Sequence, residues 1–214
     1  MYSSIWLTFK LSFTTMAVLL VVGVPIAYIL SRSSECYFKY IVETLIALPL
    51  VLPPTVLGFY LLIVFGKIGS YSGYSIAFSF SGLLVGSIIY SLPFMVQPVQ
   101  SIFISINNIY KNTSYVLRAT WFDYFMNVHL PLGKKGILVA SALCFAHTVG
   151  EFGIVLMVGG NIPNETQVVS ITIYEFVEKL DYGSAHLLSS FLLVLSFFAL
   201  LFLFKNNIRK VTVI

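Results

Sequence analysis

Apolar residues run along this chain in long stretches, and the charged residues are gathered in short clusters between them. The first uncharged stretch, LSFTTMAVLLVVGVPIAYILS, lies between Lys10 and Arg32. At about 1.5 Å per helical residue it is long enough to cross a hydrocarbon layer about 30 Å thick. It is longer than the roughly 7–15 apolar residues of a secretory signal and exits into Ser-Arg-Ser-Ser, so it is predicted to be retained as span one. Span two follows Glu43 as TLIALPLVLPPTVLGFYLLIVFG, with Pro49, Pro53 and Pro54 inside it. Proline removes a backbone donor and bends a helix, which a membrane tolerates where neighbouring helices or a water-lined cavity satisfy the freed carbonyls.

No charge occurs between Lys67 and Lys111, and the pattern predicts span three over about 76–103, with two further prolines in SLPFMVQPVQ. Span four is predicted from Gly136, just after Lys134 and Lys135, past Glu151 to about Val158. Span five, YGSAHLLSSFLLVLSFFALLFLF, lies between Asp181 and Lys205. Placing the loops 32–43, 104–135 and 205–214 in the cytoplasm collects there Arg32, Lys39, Lys111, Arg118, Lys134, Lys135, Lys205, Arg209 and Lys210, against Lys67 and Lys179 opposite, with Lys10 at the outer end of span one. The excess of basic residues on one side predicts an all-α polytopic membrane protein of about five spans with its N-terminus outside. Residues 1–214 are expected to form one transmembrane domain, since the short connections offer no identifiable linker or internal repeat.

Composition sharpens this picture. Hydrophobic residues make up 58% and charged residues 9% of the 214, which departs from the soluble average in a membrane direction and leaves no room for a separate soluble domain. The formal charge of +4 is scattered between apolar runs, so it reads as a topology signal and not as a nucleic-acid surface. Cys36 falls in a polar loop and Cys144 in an apolar run, which argues against a disulfide framework.

The longest inner segment, about 104–135, has a helical pattern of its own. Tyr115, Ala119, Phe122 and Met126 recur at i, i+4, i+7 and i+11, with Asn112, Thr113 or Ser114 available as N-cap, and Leu130-Pro131 is expected to stop the helix. An amphipathic helix here either rests on lipid headgroups or docks a cytoplasmic partner.

Glu151 lies about 22 Å along span four from Gly136, in the outer half, where an acidic group costs about 2.5–3.5 kcal/mol at the membrane centre unless it has a partner. His147, four residues earlier, is expected on the same face. Cys144, His147 and Glu151 could be metal ligands of an intramembrane hydrolase, although three firm ligands and a tighter His-Glu-x-x-His pair are the usual requirement. The favoured reading is structural with a gate role: Glu151 accepts hydrogen bonds from a neighbouring helix, and Gly150 and Gly153 permit close backbone approach. Ser91, Gln97, Thr148 and the bent backbone at Pro53 and Pro54 are candidate lining groups for an anion path made of hydroxyls, amides and helix termini. A membrane scaffold without transport is the remaining rival, for which prolines inside spans are unneeded.

The segment 104–135 resembles the coupling segment of ABC-type importer permeases, in which Glu-Ala-Ala, three residues, Gly and nine residues precede Ile-x-Leu-Pro. Here those positions hold Asn112-Thr113-Ser114, Arg118 and Val128-His129-Leu130-Pro131. Arg118 replaces the glycine, where a side chain is penalised if φ must be positive. LPLVLPPTVLGF at 48–59, SLPFMVQPVQ at 91–100 and GEFGIVLMVGGNIPNETQ at 150–167 resemble segments of the oxyanion branch, most closely molybdate permeases, with sulfate and tungstate permeases as near relatives. The resemblance reaches from span one to about Tyr174, and its most specific element is the glycine-flanked glutamate followed by Asn161-Ile162-Pro163. It implies a type I permease fold, a second copy of the chain around a central path, two cytoplasmic ATPase subunits and an external substrate-binding protein meeting the outer loop 159–183. The sequence has no Gly-x-x-x-x-Gly-Lys-Ser/Thr loop, so no cofactor is expected on this chain, and ATP and Mg belong to the partner ATPase.

Overall fold

The computed structural model describes residues 2–73, 75–106 and 108–208, with the side chains at 72, 108, 111, 115, 199–200 and 202–208 outside the description. The basic cluster at Arg209 and Lys210, and the side chains of Lys111, Tyr115 and Lys205, therefore lie outside the described residues. The described residues form ten α-helices and one π-helical turn, with no strand among them.

Helix α1, Tyr2–Arg32, begins well before the charge-free run because Lys10 does not interrupt it. The predicted second span is two helices, α2 (Tyr37–Val51) and α3 (Pro54–Ser72). Their break follows from two consecutive X-Pro steps: proline forces the residue before it out of the helical region, and both Leu52 (ψ 136°) and Pro53 (ψ 135°) are extended. Pro49, one turn earlier, is accommodated inside α2. Span three is α4, Phe80–Ser105, capped by the Ser79 hydroxyl, which accepts from the Gly82 amide at 3.3 Å. Pro93 and Pro98 both lie within α4.

The segment after α4 does not form the single amphipathic helix that its stripe predicts. It is divided into α5 (Asn108–Val116), a turn, α6 (Trp121–Tyr124) and the π-helical turn Phe125–His129. Asn112, Thr113 and Ser114 are interior to α5 and not caps; the cap is Thr120, whose hydroxyl and Asp123 form a reciprocal capping box at the start of α6. Leu130-Pro131 does not stop the chain either. Pro131 is the second residue of α7, Leu130–Val149, and follows directly on the π-helical turn Phe125–His129, so helix continues through it from Trp121 to Val149.

Span four is also divided. Helix α7 ends at Val149, residues 150–152 are non-helical, and α8 covers Gly153–Gly159. Helix α9 (Val169–Glu178) and helix α10 (Tyr182–Ile208) complete the chain. Helices α1, α3, α4 and the run Trp121–Val149 are long and apolar enough to cross a membrane, and α10 adds the shorter apolar stretch Tyr182–Phe198.

The core is the packing of α1, α4 and α7. Leu19, Ala27, Met95, Val96, Val99, Ala140 and Cys144 are buried in one cluster, and Leu7, Leu11, Leu83 and Val155 join α1 to α4 and α8 in another. Tyr28 meets Phe103 at one end and Leu11 meets Leu83 toward the other, so α1 and α4 run parallel while α7 returns against them. Gly136 makes the α4–α7 contact close, because a Cβ there would overlap the Ile102 side chain. The loop 33–36 and residues 108–129 consequently share one end of the bundle; residues 75–79 and 160–181 share the other.

Candidate functional site

Two helix breaks face one another. Gly153, which opens α8, lies so close to Pro54, which opens α3, that a Cβ on Gly153 would stand 2.6 Å from the Pro54 Cβ. Of the two glycines flanking Glu151, only this one serves close approach: a Cβ on Gly150 would meet nothing nearer than the Ala146 carbonyl oxygen at 3.7 Å.

Glu151 sits in the non-helical link between α7 and α8, and it is 4% exposed. Its Oε2 accepts from the Ser87 hydroxyl at 2.9 Å, and its backbone carbonyl accepts from the Ser170 hydroxyl at 2.6 Å. One carboxylate thus ties α4 to the link, while its main chain ties the link to α9. Oε1 is buried without a partner. Because the helix ends before Glu151, His147 does not share a helical face with it. Instead the His147 Nδ1 is 3.0 Å from the Ser91 hydroxyl, and its ring stacks on Phe94 with centroids 3.9 Å apart.

Ser91 is also 3.0 Å from the Thr148 hydroxyl, which donates to the Cys144 carbonyl at 3.0 Å, the back-bond expected of threonine in a membrane helix. Ser87, Ser91, His147, Thr148 and Glu151 therefore form one buried polar layer where α4 crosses the end of α7. The structure brings Ser91, Thr148, Glu151, Gly153 and Pro54 together there, with Pro53 in the facing break. Gln97 is not among them; it opens into a separate pocket beside α2. Among the described residues no three His, Cys, Asp or Glu side chains converge on a metal position, and Cys144 points into the apolar core, which removes the basis for a metal hydrolase.

Asn161 and Pro163 lie in a compact turn beyond α8. Asn161 takes φ 57°, tolerable for asparagine, and the turn is built on Thr166, whose hydroxyl donates to the Gly159 carbonyl at 2.7 Å and accepts from the Ile162 amide at 2.9 Å. Glu175 on α9 is held below the usual carboxylate range by hydrogen bonding to Lys179, with Asn161 and Gln167 also donating to it.

At the opposite end, Arg118 adopts φ 52° in the turn between α5 and α6. The left-handed turn expected of a glycine is made here by arginine. The turn leaves Val116, Leu117, Trp121 and Phe122 more than half exposed, and Ala119 half-buried with its amide donating to the Ser114 carbonyl at 2.9 Å. Leu130 and Pro131 begin α7 directly above a ring of aromatics. There the buried His129 meets Tyr28, Phe103 and Tyr124 edge-on at 4.9, 5.3 and 4.6 Å. Arg32 covers the Tyr124 ring at 5.1 Å. Sequence reasoning missed Ser87, Ser170 and His129. Ser87 precedes Ser91 by one turn and carried a usable periodic signal, whereas the other two act through tertiary contacts.

These features define a polytopic helical membrane protein with two facing helix breaks beside a buried carboxylate. The chain belongs to the family of binding-protein-dependent transport system inner membrane components, whose model matches residues 23–210. It is 44% identical over 212 residues to the molybdenum transport system permease protein ModB of Azotobacter vinelandii, covering 96% of this chain and 93% of that one. It is 31% identical over 183 residues to the ModB of Haemophilus influenzae, covering 82% and 80%. The sulfate transport system permease protein CysT of Synechocystis is 32% identical over 189 residues, covering 85% and 65%. Among solved structures, a bacterial ABC transporter involved in import of the acidic polysaccharide alginate matches the fold with a TM-score of 0.79 at 18% identity, covering 99% of this chain and 80% of that one.

Proposed function

We propose that this chain is the transmembrane subunit of an ATP-driven importer that moves molybdate through the inner membrane by alternating access. The observation that carries the reading is the near full-length 44% identity to a molybdenum permease, set beside a weaker likeness to sulfate permeases. Two copies of the chain enclose the path, two ATPase subunits carrying ATP and Mg bind the cytoplasmic end, and a periplasmic binding protein delivers the anion to the outer end. The basic residues Arg32, Lys39, Lys134 and Lys135 near the end that carries 33–36 and 108–129 support a cytoplasmic location for it and an outside N-terminus.

In this reading the exposed apolar side chains of the α5–α6 turn seat in the ATPase, and the motion reaches α1 and α4 through the rings around His129. The Ser87–Glu151 layer is the gate. It holds α4, the α7–α8 link and α9 in one arrangement, while the facing breaks at Pro53-Pro54 and Gly150–Phe152 give the helices places to bend. Hydroxyl groups that bind an anion without a cation let it leave again.

The test is ATP hydrolysis by the complex of permease, ATPase and binding protein. The binding protein loaded with molybdate is expected to raise hydrolysis several-fold over the empty binding protein. Stimulation by a sulfate-loaded binding protein alone would move the assignment to sulfate, and stimulation by no oxyanion would refute it.

A further inference from the structure

Arg32, the last residue of α1, has no counter-ion among the described residues. Its guanidinium is half-buried and covers the Tyr124 ring at 5.1 Å. The carboxylates nearest this end are engaged elsewhere. Glu35 holds the Lys39 ammonium at 2.7 Å, Glu43 accepts from Gln100 at 2.5 Å and lies 4.0 Å from the same ammonium, and Asp123 pairs with Thr120 in the capping box of α6. An anion held by Arg32 must come from outside the chain.

Arg32 opens into a cavity of about 460 Å³ that it lines with Tyr28, Ile29, Ser33 and Trp121. The carbonyls of Tyr28 and Ile29, which would repel an anion, are covered: the Ser31 hydroxyl donates to the first at 2.7 Å, and the Ser33 amide and hydroxyl donate to the second at 3.0 and 2.8 Å. Trp121 is laid back from the tip of the α5–α6 turn against Tyr28, with ring centroids 6.3 Å apart. Its indole N–H makes no hydrogen bond among the described residues. A guanidinium and an indole donor therefore face one space with no acid lining it.

A second space of about 260 Å³ adjoins the first across Ile29 and Ser33 and is walled mainly by Ile26, Leu30, Phe38 and Val42. Lys39 lends it only a stem, since its ammonium is held by Glu35. Ile26 lies six residues before Arg32, about 9 Å farther into the span. A soluble partner docked on residues 108–129 reaches Arg32 but not Ile26, whereas a phospholipid carries its phosphate and its acyl chains at these two depths. A zwitterionic headgroup would bring its own cation beside the guanidinium, so a headgroup of net negative charge fits better.

We propose that the junction of α1, α2 and α6 binds one anionic phospholipid, with its phosphate on Arg32 and the Trp121 indole and one acyl chain along Ile26, Ile29 and Phe38. The lipid joins the end of α1 to the segment that carries the α5–α6 turn. The inference holds whichever anion is transported.

The test uses the full-length permease with Trp6→Phe, which leaves Trp121 as its one tryptophan. It is placed in phosphatidylcholine vesicles in which about one lipid in ten is acyl-brominated phosphatidylglycerol or acyl-brominated phosphatidylcholine, bromine being a contact quencher of indole fluorescence. The anionic lipid is expected to quench Trp121 roughly fivefold more than the zwitterionic one. Arg32→Gln should bring that ratio to about one, and Arg32→Lys should keep most of it. Lys135→Gln, the same change of charge outside both spaces, should leave it unaltered. A ratio near one in the parent protein would overturn the proposal without recourse to any further variant. Equal loss in Arg32→Gln and Lys135→Gln would overturn it in favour of diffuse attraction to a basic end, and quenching by neither lipid would do so in favour of a second copy covering the groove.

Discussion

The Ser87 hydroxyl donates to Oε2 of Glu151 across 2.9 Å, linking two residues 64 positions apart within the buried polar layer where α4 crosses the end of α7. The bond needs an acceptor on residue 151 and does not need a charge. Glu151→Gln retains an amide oxygen to accept from Ser87 and should keep much of the uptake. Glu151→Ala leaves the Ser87 hydroxyl buried without a partner, at a cost of about 1–3 kcal/mol, and uptake should fall to a small fraction of wild type. Equal uptake by the two variants, measured in the reconstituted complex, would contradict the gate.

The two glycines beside Glu151 separate packing from composition. Gly153→Ala drives a methyl group against Pro54 and should destabilise the purified permease by about 1–3 kcal/mol, read as a lower Tm with reduced uptake. Gly150→Ala meets no atom closer than 3.7 Å and should stay near wild type in both measurements. The reverse order would mean that the facing breaks do not bear on one another.

At the other end, Arg118 holds φ 52° in the α5–α6 turn, a conformation that costs a side-chain-bearing residue roughly 1–2 kcal/mol. Arg118→Gly should therefore raise thermal stability and leave stimulated ATP hydrolysis intact. Arg118→Val, branched at Cβ, should reduce both. Loss of stimulation in the glycine variant would show that the guanidinium, and not the turn, is what the partner needs.

Thr8 ties the first helix to the outer segment. Its hydroxyl accepts from the Val169 amide, the first of α9, at 2.9 Å, and the neighbouring Thr172 hydroxyl donates to the Ser4 hydroxyl at 3.0 Å. Thr8→Ala removes an N-cap acceptor worth about 1 kcal/mol and should speed amide hydrogen exchange at residues 169–172 roughly fivefold, while Thr8→Ser restores protection. Unchanged exchange in Thr8→Ala would show that α9 does not depend on α1.

Much of this arrangement is written locally. Charge-free runs locate the spans, and a glutamate in such a run must have a partner, so Glu151 was legible as a buried, bonded group. Its link was not, because Gly150 and Gly153 are equally compatible with a continuous membrane helix; the break is held by contacts from elsewhere, Ser170 to the Glu151 carbonyl and Pro54 against Gly153. Leu52-Pro53-Pro54 did carry the α2–α3 break in sequence, since two successive X-Pro steps cannot remain helical, but a single apolar run around them reads as one bent span. The stripe from Tyr115 to Met126 has helical spacing, yet Thr120 and Asp123 form a new cap in the middle of it. His129 shows no sign of importance in sequence, and only the convergence of α1, α4 and α6 encloses it in aromatic rings.

Uptake of labelled molybdate by proteoliposomes holding this permease, its ATPase and its binding protein tests the central claim most directly. The account predicts ATP-dependent accumulation that excess tungstate abolishes and excess sulfate leaves within twofold. Accumulation abolished by sulfate, or none from a complex that assembles and hydrolyses ATP, would contradict it.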